Sequence, residues 1–307
     1  MNYLKGFVTD CQARGLTAHT IETYRSNVIY FLRAHNEPGT VSLEDLRTFL
    51  GDLRAKGLQG STLKGYFAAI SAMYEYLNFE GLHAGNPILL FRKRYLSRMK
   101  LQSNGENSRQ LISVQDLQLL LQAARDIKEV TLILFFAKTG MRRGEALGLK
   151  IDDIDLRRRI IHIPAKAKRS NRLAFIDDEL AASLEQYISW RQKKAKSQWL
   201  WITRAGGRVH KDYPGEVLAD LGGAIGLHNP KGPLCNRLTP HCLRHFFTTH
   251  LFRAGMDPQY IKFLRGDSLS SEAWQLYNHI DIEEVKDQYV RLIPKLISFD
   301  QKITKYL

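Results

Sequence analysis

The residues that decide the fold are Leu238-Thr-Pro-His-Cys-Leu-Arg-His-Phe-Phe-Thr-Thr-His-Leu251. Pro240 suits the first turn of a helix, where its missing N–H costs nothing. His241 and Arg244 are then three residues apart and project from the same helix face. An imidazole beside a guanidinium can donate hydrogen bonds to adjacent oxygens of one phosphate. The pattern predicts a phosphate clamp, although a surface histidine near a salt-bridged arginine explains His-x-x-Arg better when it stands alone.

Stretches of sequence before and after this helix carry further candidate site residues. Upstream, Thr139-Gly-Met-Arg-Arg-Gly-Glu-Ala-Leu-Gly-Leu149 contains Arg142, whose guanidinium can pair with Glu145 three residues on. Such an ion pair is compatible with a catalytic role, because it would hold the arginine in place. Downstream, Ile261-Lys-Phe-Leu-Arg-Gly-Asp-Ser268 is followed by Trp274-Gln-Leu-Tyr-Asn-His-Ile280. Each stretch is weak evidence alone, and their joint order and spacing are specific.

In residue pattern, order and spacing, these stretches resemble those of the tyrosine recombinases of the phage integrase family. The resemblance covers about residues 113–289, and the N-terminal helices resemble the family's core-binding domain. It implies a mainly α (α+β) fold, with a helical, SAM-like domain and a mainly α catalytic domain that carries a small antiparallel sheet. This is the integrase-type fold for breaking and rejoining DNA. The implied activity is site-specific recombination, for integration or excision of a mobile element or for dimer resolution.

The resemblance also implies catalytic roles. Arg142 and Arg244 would bind the non-bridging oxygens of the scissile phosphate and stabilise its pentacoordinate transition state. Tyr277 would attack the phosphorus and keep the 3′ end as a phosphotyrosine ester, which preserves the bond energy for rejoining. Neither ATP nor a metal is then required, so we expect no cofactor. A phenol with a pKa of about 10 needs a base and a positive field, which His241 and the arginines can supply.

In this family a lysine on a β-hairpin protonates the departing 5′ oxygen. Lys166 matches that position best, but Lys168 lies two residues on and on the same strand face if the segment is extended. The assignment between the two lysines stays open. Arg169 and Arg172 belong to the same basic turn and are expected to contact the DNA backbone.

One position departs from the family's pattern. Where most members carry histidine or tryptophan this sequence has Asp267, and the interval from Asp267 to Tyr277 is a residue longer than usual. A carboxylate cannot donate a hydrogen bond to phosphate unless it is protonated, and its charge repels the substrate. We therefore expect Asp267, the candidate for the sixth catalytic position, to orient an arginine or His279 instead. The Arg-Gly-Asp sequence at this position is similar to that of archaeal-type integrases.

The overall charge favours a polyanionic partner. Lys and Arg number 45 against 31 Asp and Glu, which gives a formal net charge of +14 and a pI near 9.7. Double-stranded DNA fits this balance, although a basic protein that binds no nucleic acid fits it too. The chain shows no signal-peptide pattern and no run of about 18 apolar residues, so we expect a cytoplasmic protein without a membrane partner. Cys11, Cys235 and Cys242 form no CxxC pair and are expected to be reduced thiols.

Two domains and a linker are predicted from the periodicity. Apolar residues recur at helical spacing from Thr17 to about Asn86, where Pro87 ends the pattern. Cap signatures begin a helix in each domain, at Ser42 with Asp45 and at Ser113 with Asp116. The predicted parts are a DNA-clamp domain over 1–90, a basic linker over 91–110 and the catalytic domain over 111–307. The two domains are expected to close as a C shape around duplex DNA.

The predicted linker is basic. Residues 91–100 include five basic residues and no acidic one. Such a run is usually only solvated, but its place between domains favours contact with DNA through Arg92, Lys93 and Arg94.

Short strands interrupt the helices of the catalytic domain. Arg159–Pro164 and Arg172–Ile176 are typical of strands around a basic turn, and Trp199–Ile202 is a candidate third strand. Helices are predicted over 178–196 and 213–227.

The C-terminal segment has an apolar side. Val285, Tyr289, Leu292 and Leu296 recur at helical spacing before and after Pro294. The segment either docks on a neighbour, as in family members that exchange a tail within a tetramer on DNA, or packs on its own domain. We expect a monomer when the protein is free and a tetramer in the synaptic complex.

Three other functions are compatible with parts of this sequence. A type IB topoisomerase uses a similar phosphotyrosine site, but the separate helical N-terminal unit favours a recombinase. A catalytically silent DNA-binding relative is suggested by Asp267 and opposed by the presence of the other catalytic residues. A metallohydrolase using His241, Cys242, His245 and His250 is disfavoured because no HExxH glutamate intervenes.

Overall fold

A computed structural model of the protein describes residues 2–35, 37–97, 108–164, 171–195, 197–267 and 280–297. The chain divides into two units, Met1–Ser103 and Asn104–Leu307. Five residues singled out in the sequence lie outside the described ranges: Lys166, Lys168, Arg169, Tyr277 and His279.

The first unit is a helical bundle built around its fourth helix. The helices are α1 (Asn2–Ala13), α2 (Ala18–Ala34), α3 (Leu43–Ala55), α4 (Gly60–Phe79) and α5 (Pro87–Phe91). Helix α4 packs against the other four, and the core between them is rich in phenylalanine. The predicted capping box of Ser42 and Asp45 begins α3. The periodicity starting at Thr17 leaves out α1, which buries Phe7 and Cys11.

The start of the predicted linker belongs to this bundle. Helix α5 continues as a π-helical turn, Arg92–Leu96. Phe91 stacks on Phe67 at 5.2 Å between ring centroids, Leu96 is buried, and Tyr95 Oη accepts a hydrogen bond of 3.0 Å from Arg47 Nε. A linker beginning at residue 91 is therefore wrong at this end, because two apolar residues five apart anchor the turn in the core. Lys93 and Arg94 are exposed on it.

The second unit packs around one fully buried helix. Its helices are α6 (Val114–Ala123), α7 (Ile127–Thr139), α8 (Arg143–Ala146), α9 (Asp178–Gln192), α10 (Tyr213–Ala224), α11 (Pro240–Arg253), α12 (Pro258–Arg265) and α13 (Ile282–Leu292). All residues of α7 are buried, and apart from Thr131 its middle part, residues 130–137, is apolar, as expected for a helix in the centre of a unit. Helices α9 and α11 pack against it. The predicted capping box of Ser113 and Asp116 begins α6.

A small antiparallel sheet with strand order β1-β2-β3 lies in the same unit. The strands are β1 (Ile154–Asp155), β2 (Ile160–His162) and β3 (Leu173–Phe175), and Ile161 stands opposite both Ile154 and Ala174. Trp199–Ile202 was wrongly expected as the third strand. In the described residues it makes isolated bridges, Trp199 to Lys150 and Ile202 to Arg208, and Leu200, Trp201 and Ile202 are buried.

The C-terminal segment packs on its own unit as far as Ile297. Val285, Tyr289 and Leu296 are buried, and Tyr289 Oη donates a 2.9 Å hydrogen bond to the carbonyl of Lys138. The backbone N–H groups of Leu296 and Ile297 donate to the Glu179 carboxylate. Over 280–297 the segment packs on its own unit.

Helices in the described ranges all fall short of the length and apolarity that a bilayer span requires. Cys11 and Cys242 are buried and Cys235 is half-buried, and all three are free thiols.

Candidate active site

Arg142 is placed by a tight turn after the buried helix. Helix α7 ends at Thr139, and Gly140 adopts the left-handed conformation, with φ of 58°. A Cβ atom at this position would lie 2.4 Å from Cδ1 of Phe247, on α11. Only glycine satisfies both conditions, so the turn can lie directly against α11 and bring Arg142 to the start of α8.

The expected ion pair of Arg142 is present. Its Nη1 donates to Glu145 Oε1 at 3.0 Å, and its backbone N–H donates to Oε2 of the same carboxylate at 2.9 Å. The side chain of Arg142 is 43% exposed. The carboxylate therefore fixes the arginine while leaving it accessible to a ligand.

Arg244 is buried on α11, with 4% of its side chain exposed. Its Nη1 donates to the carbonyl of Gly140 at 2.5 Å, and its Nη2 donates to the carbonyl of Arg265 at 3.1 Å. Burial, together with the charges of Arg142 and Arg265, lowers the pKa of Arg244 to about 10. The guanidinium stays cationic at neutral pH and is held in one orientation.

Asp267 joins the two arginines. Its Oδ1 accepts hydrogen bonds from Nη2 of Arg142 at 2.8 Å and from Nη2 of Arg244 at 2.9 Å, and its Oδ2 lies 3.0 Å from Nε of Arg265. Two guanidinium groups from different parts of the chain thus converge on one oxygen atom. The expectation that Asp267 orients an arginine agrees with these contacts.

A Schellman turn positions Asp267. Gly266 has φ of 59° and ends α12, with its N–H bonded to the carbonyl of Phe263 at 2.9 Å. The N–H of Asp267 reaches back to the carbonyl of Lys262 at 3.3 Å. This pair of bonds is typical of helix ends that reverse through a glycine. The backbone of Asp267 is therefore held by the helix it follows.

His241 lies in the first turn of α11, three residues before Arg244, as predicted. The residue is exposed, yet desolvation by surrounding protein atoms and the charges of Arg109 and Arg244 lower the pKa of its imidazole below the usual 6.5. The imidazole is therefore mostly neutral at pH 7 and can accept a proton.

The remaining site residues are more scattered. Arg172 is exposed directly before β3, and its carbonyl accepts a 2.7 Å hydrogen bond from Ile163 N–H. Sequence reasoning missed Arg265 and Arg109, which both add positive charge near His241. The signal for Arg265 was its position two residues before Asp267 with a glycine between them, a spacing that lets the side chains meet across the turn.

The metallohydrolase hypothesis finds no support in the part of the chain that the structure describes, which holds no group of three or more metal-ligating side chains. Cys242 is buried and its Sγ faces the carbonyl of Arg237 at 3.4 Å. His245 Nδ1 is hydrogen-bonded to Thr249 at 3.0 Å.

Comparison with known protein families agrees with this geometry. The sequence profile of the phage integrase family matches residues 110–284, and the profile of the N-terminal SAM-like domain of phage integrases matches residues 3–82. The chain belongs to the phage integrase family. As a member of this family it is a site-specific tyrosine recombinase, an enzyme of DNA strand exchange.

Relatives of this phage integrase family member include recombinases of similar length. The chain is 23% identical to tyrosine recombinase XerD of Listeria innocua serovar 6a, over 92% of this chain and 95% of the relative. It is 25% identical to tyrosine recombinase XerC of Thermodesulfovibrio yellowstonii, over 95% of this chain and 96% of the relative.

Two solved integrase structures share the fold. The Tn1549 transposon integrase in complex with a circular intermediate DNA has a TM-score of 0.70 at 20% identity, covering 94% of this chain and 99% of that one. A lambda integrase dimer bound to a COC′ core site has a TM-score of 0.70 at 15% identity, covering 92% and 98%. The mainly helical fold with a small antiparallel sheet is therefore that of the integrases.

Proposed function

We propose that this recombinase cleaves duplex DNA by attack of Tyr277 on the scissile phosphorus while Arg142 and Arg244 bind the non-bridging oxygens. The observation that carries the proposal is the convergence of these two arginines on one oxygen atom, at 2.8 and 2.9 Å. A phosphate oxygen can be bound by the same pair of groups. Positive charge held in place before the reaction stabilises the charge that develops in the transition state.

Tyr277 Oη forms a bond to phosphorus as the bond between phosphorus and the 5′ oxygen breaks. His241, with its lowered pKa, takes the phenolic proton, and Lys166 or Lys168 gives a proton to the 5′ oxygen. One phosphate diester replaces another, so the 5′ hydroxyl of a second strand can reverse the reaction without an external energy source.

The partner of the proposed reaction is double-stranded DNA. The related integrase structures contain DNA, and this chain has a net charge of +14. Lys93 and Arg94 are exposed at the end of the first unit, and with Arg92 they would contact phosphates. Arg169 and Arg172 would do so beside the sheet. The free protein would be a cytoplasmic monomer that assembles as a tetramer when two DNA sites are joined.

The test uses nicked duplexes that tile the DNA flanking the protein's own gene. Cleavage next to a nick releases a short strand, so rejoining fails and the phosphotyrosine accumulates. We expect a denaturation-resistant adduct with wild type on a subset of duplexes and none with Tyr277→Phe. An adduct that persists in Tyr277→Phe would assign the nucleophile elsewhere. Wild type that binds these duplexes and never forms an adduct would contradict the proposed activity.

A further inference from the structure

The carboxylate of Asp267 lies among three guanidinium groups, those of Arg142, Arg244 and Arg265, at 2.8 to 3.0 Å. One of its oxygens, Oδ1, sets the separation between Arg142 and Arg244. The carboxylate is itself held in position because the backbone of Asp267 closes the turn that ends α12. Asp267 therefore transmits the fixed position of a helix end to two arginines on other elements.

Three guanidinium groups this close repel one another. Burial and the charges of Arg142 and Arg265 both lower the pKa of Arg244, whereas Asp267 acts in the opposite direction. Three arginines and two carboxylates, Asp267 and Glu145, leave a net charge of +1 on the cluster. Removal of the Asp267 charge would leave +2, and Arg142 would keep Glu145 as a carboxylate partner while being free to turn towards solvent.

We propose that Asp267 is a positioning residue, which holds Arg142 and Arg244 at the spacing that one phosphate requires and stays in place when DNA binds. The proposal rests on the function proposed above. It replaces the hydrogen-bond donor expected at this position by an anion that acts through the arginines. Asp267 thereby contributes to the reaction without touching the substrate.

The supply of donors supports this role. A guanidinium carries five N–H groups. Among the described residues, Arg142 uses one for Glu145 and one for Asp267, and Arg244 uses one each for Gly140, Arg265 and Asp267. Three N–H groups of Arg142 and two of Arg244 make none of these contacts. Binding of a phosphate therefore does not require that Asp267 leave.

The test is single-turnover cleavage of a nicked duplex that wild type cleaves, at saturating DNA, with Kd measured separately. We expect Asp267→Ala and Asp267→Asn to slow cleavage roughly 10- to 100-fold, since small misplacements of catalytic groups have effects of this size. Kd should change little, because most phosphate contacts lie elsewhere. Asp267→Glu, which keeps the charge, should retain more activity than Asp267→Asn. Asp267→His should not restore the rate, because an imidazole cannot accept from two guanidinium groups.

Asp220→Asn is the matched control. Asp220 is an exposed carboxylate paired with Arg125, and its loss changes the net charge equally. We expect its rate to equal that of wild type. Faster cleavage by Asp267→Asn would overturn the proposal, since it would mean that the carboxylate occupies the phosphate's place and has to be displaced. Full activity of Asp267→His would overturn it as well, since it would mean that the position donates to phosphate.

A second measurement needs no DNA. In ¹⁵N spectra of arginine side chains, the signals of Arg142 and Arg244 should show hindered rotation in wild type and lose it in Asp267→Ala. Unchanged signals would overturn the proposal whatever the activity. If wild type forms no Tyr277-dependent adduct and the hindered rotation is lost in Asp267→Ala, the proposed function fails while the positioning of the arginines by Asp267 stands.

Discussion

The carbonyl of Gly140 accepts a hydrogen bond of 2.5 Å from Nη1 of Arg244. The turn that carries Arg142 is thus fastened directly to the other arginine of the site. A displacement of this turn moves both phosphate-binding groups relative to each other. The geometry of the site therefore depends on a backbone conformation as well as on side chains.

Replacement of Gly140 by alanine tests this dependence. Gly140→Ala places a Cβ in the left-handed region and within 2.4 Å of Phe247. We expect a loss of about 2–4 kcal/mol in the free energy of unfolding, from backbone strain and overpacking together. Urea titration measures it. Gly144→Ala is the control, because a Cβ there meets no atom within 4 Å and should leave stability nearly unchanged. Equal stability of the two variants would contradict the argument.

Arg244→Lys tests the need for a guanidinium. Lysine keeps the charge, but it cannot donate to the carbonyls of Gly140 and Arg265 and to an anion in the same fixed fork. We expect the single-turnover cleavage rate to fall roughly 10²- to 10³-fold, the usual effect of losing one transition-state donor. Arg125→Lys, at an arginine that forms an exposed pair with Asp220, should cleave as wild type does. A folded Arg244→Lys protein with near-normal cleavage would exclude the proposed role.

We expect the cleavage rate to depend on pH through His241. Its pKa is lowered below 6.5 by desolvation and by the charges of Arg109 and Arg244. A base works in its neutral form, so the cleavage rate should stay constant from neutral pH down to 6.5 and fall as the pH drops through the lowered pKa. Single-turnover rates across pH check it. His241→Gln should be slower and lack this acid limb, and a limb that survives in this variant would belong to another group.

We expect replacement of Lys138 to lower the free energy of unfolding strongly. Its fully buried ammonium pairs with Asp177 and with Glu179, and donates to the carbonyl of Pro294 at 3.0 Å. Lys138→Met leaves two carboxylates without their cation and should cost about 3–5 kcal/mol of unfolding free energy. Chemical denaturation of the purified protein measures this loss.

Lys128→Met is the matched control for this substitution. Lys128 is buried on the same helix but bonds to the carbonyl of Ile202 and faces the ring of Tyr213, and it forms no carboxylate bridge within the described ranges. Its replacement should therefore cost clearly less. Adding Asp177→Asn and Glu179→Gln to Lys138→Met should restore part of the stability, and a further decrease would count against a charge-based account.

Sequence patterns predicted the parts of this molecule that depend on local spacing. The capping boxes at Ser42 and Ser113, the helix start at Pro240 and the pairing of Arg142 with Glu145 all involve residues three or fewer apart. Each is decided by neighbours along the chain, so each could be inferred without tertiary structure.

What the sequence left open depends on tertiary packing. That Asp267 meets Arg142, 125 residues earlier, follows from the turn at Gly266 and the placement of α12. The strand Ile154–Asp155 is two residues long, too short for any periodicity to show. The sequence of the turn at Arg92–Leu96 is typical of a charged linker, because its three basic residues outnumber the two apolar side chains, Phe91 and Leu96, that anchor it in the core.

The buried ammonium of Lys138 has a consequence for assembly. Lys138 lies at the end of α7, just before the turn that carries Arg142, and donates a hydrogen bond to the carbonyl of Pro294. The Glu179 carboxylate accepts a hydrogen bond from the backbone N–H of Leu296. Detaching this stretch would remove the Pro294 acceptor from the buried ammonium and the N–H donors of Leu296 and Ile297 from the Glu179 carboxylate. Residues 280–297 are therefore an integral part of the second unit. A neighbouring protomer that binds here would contact an already folded surface and not a free chain segment.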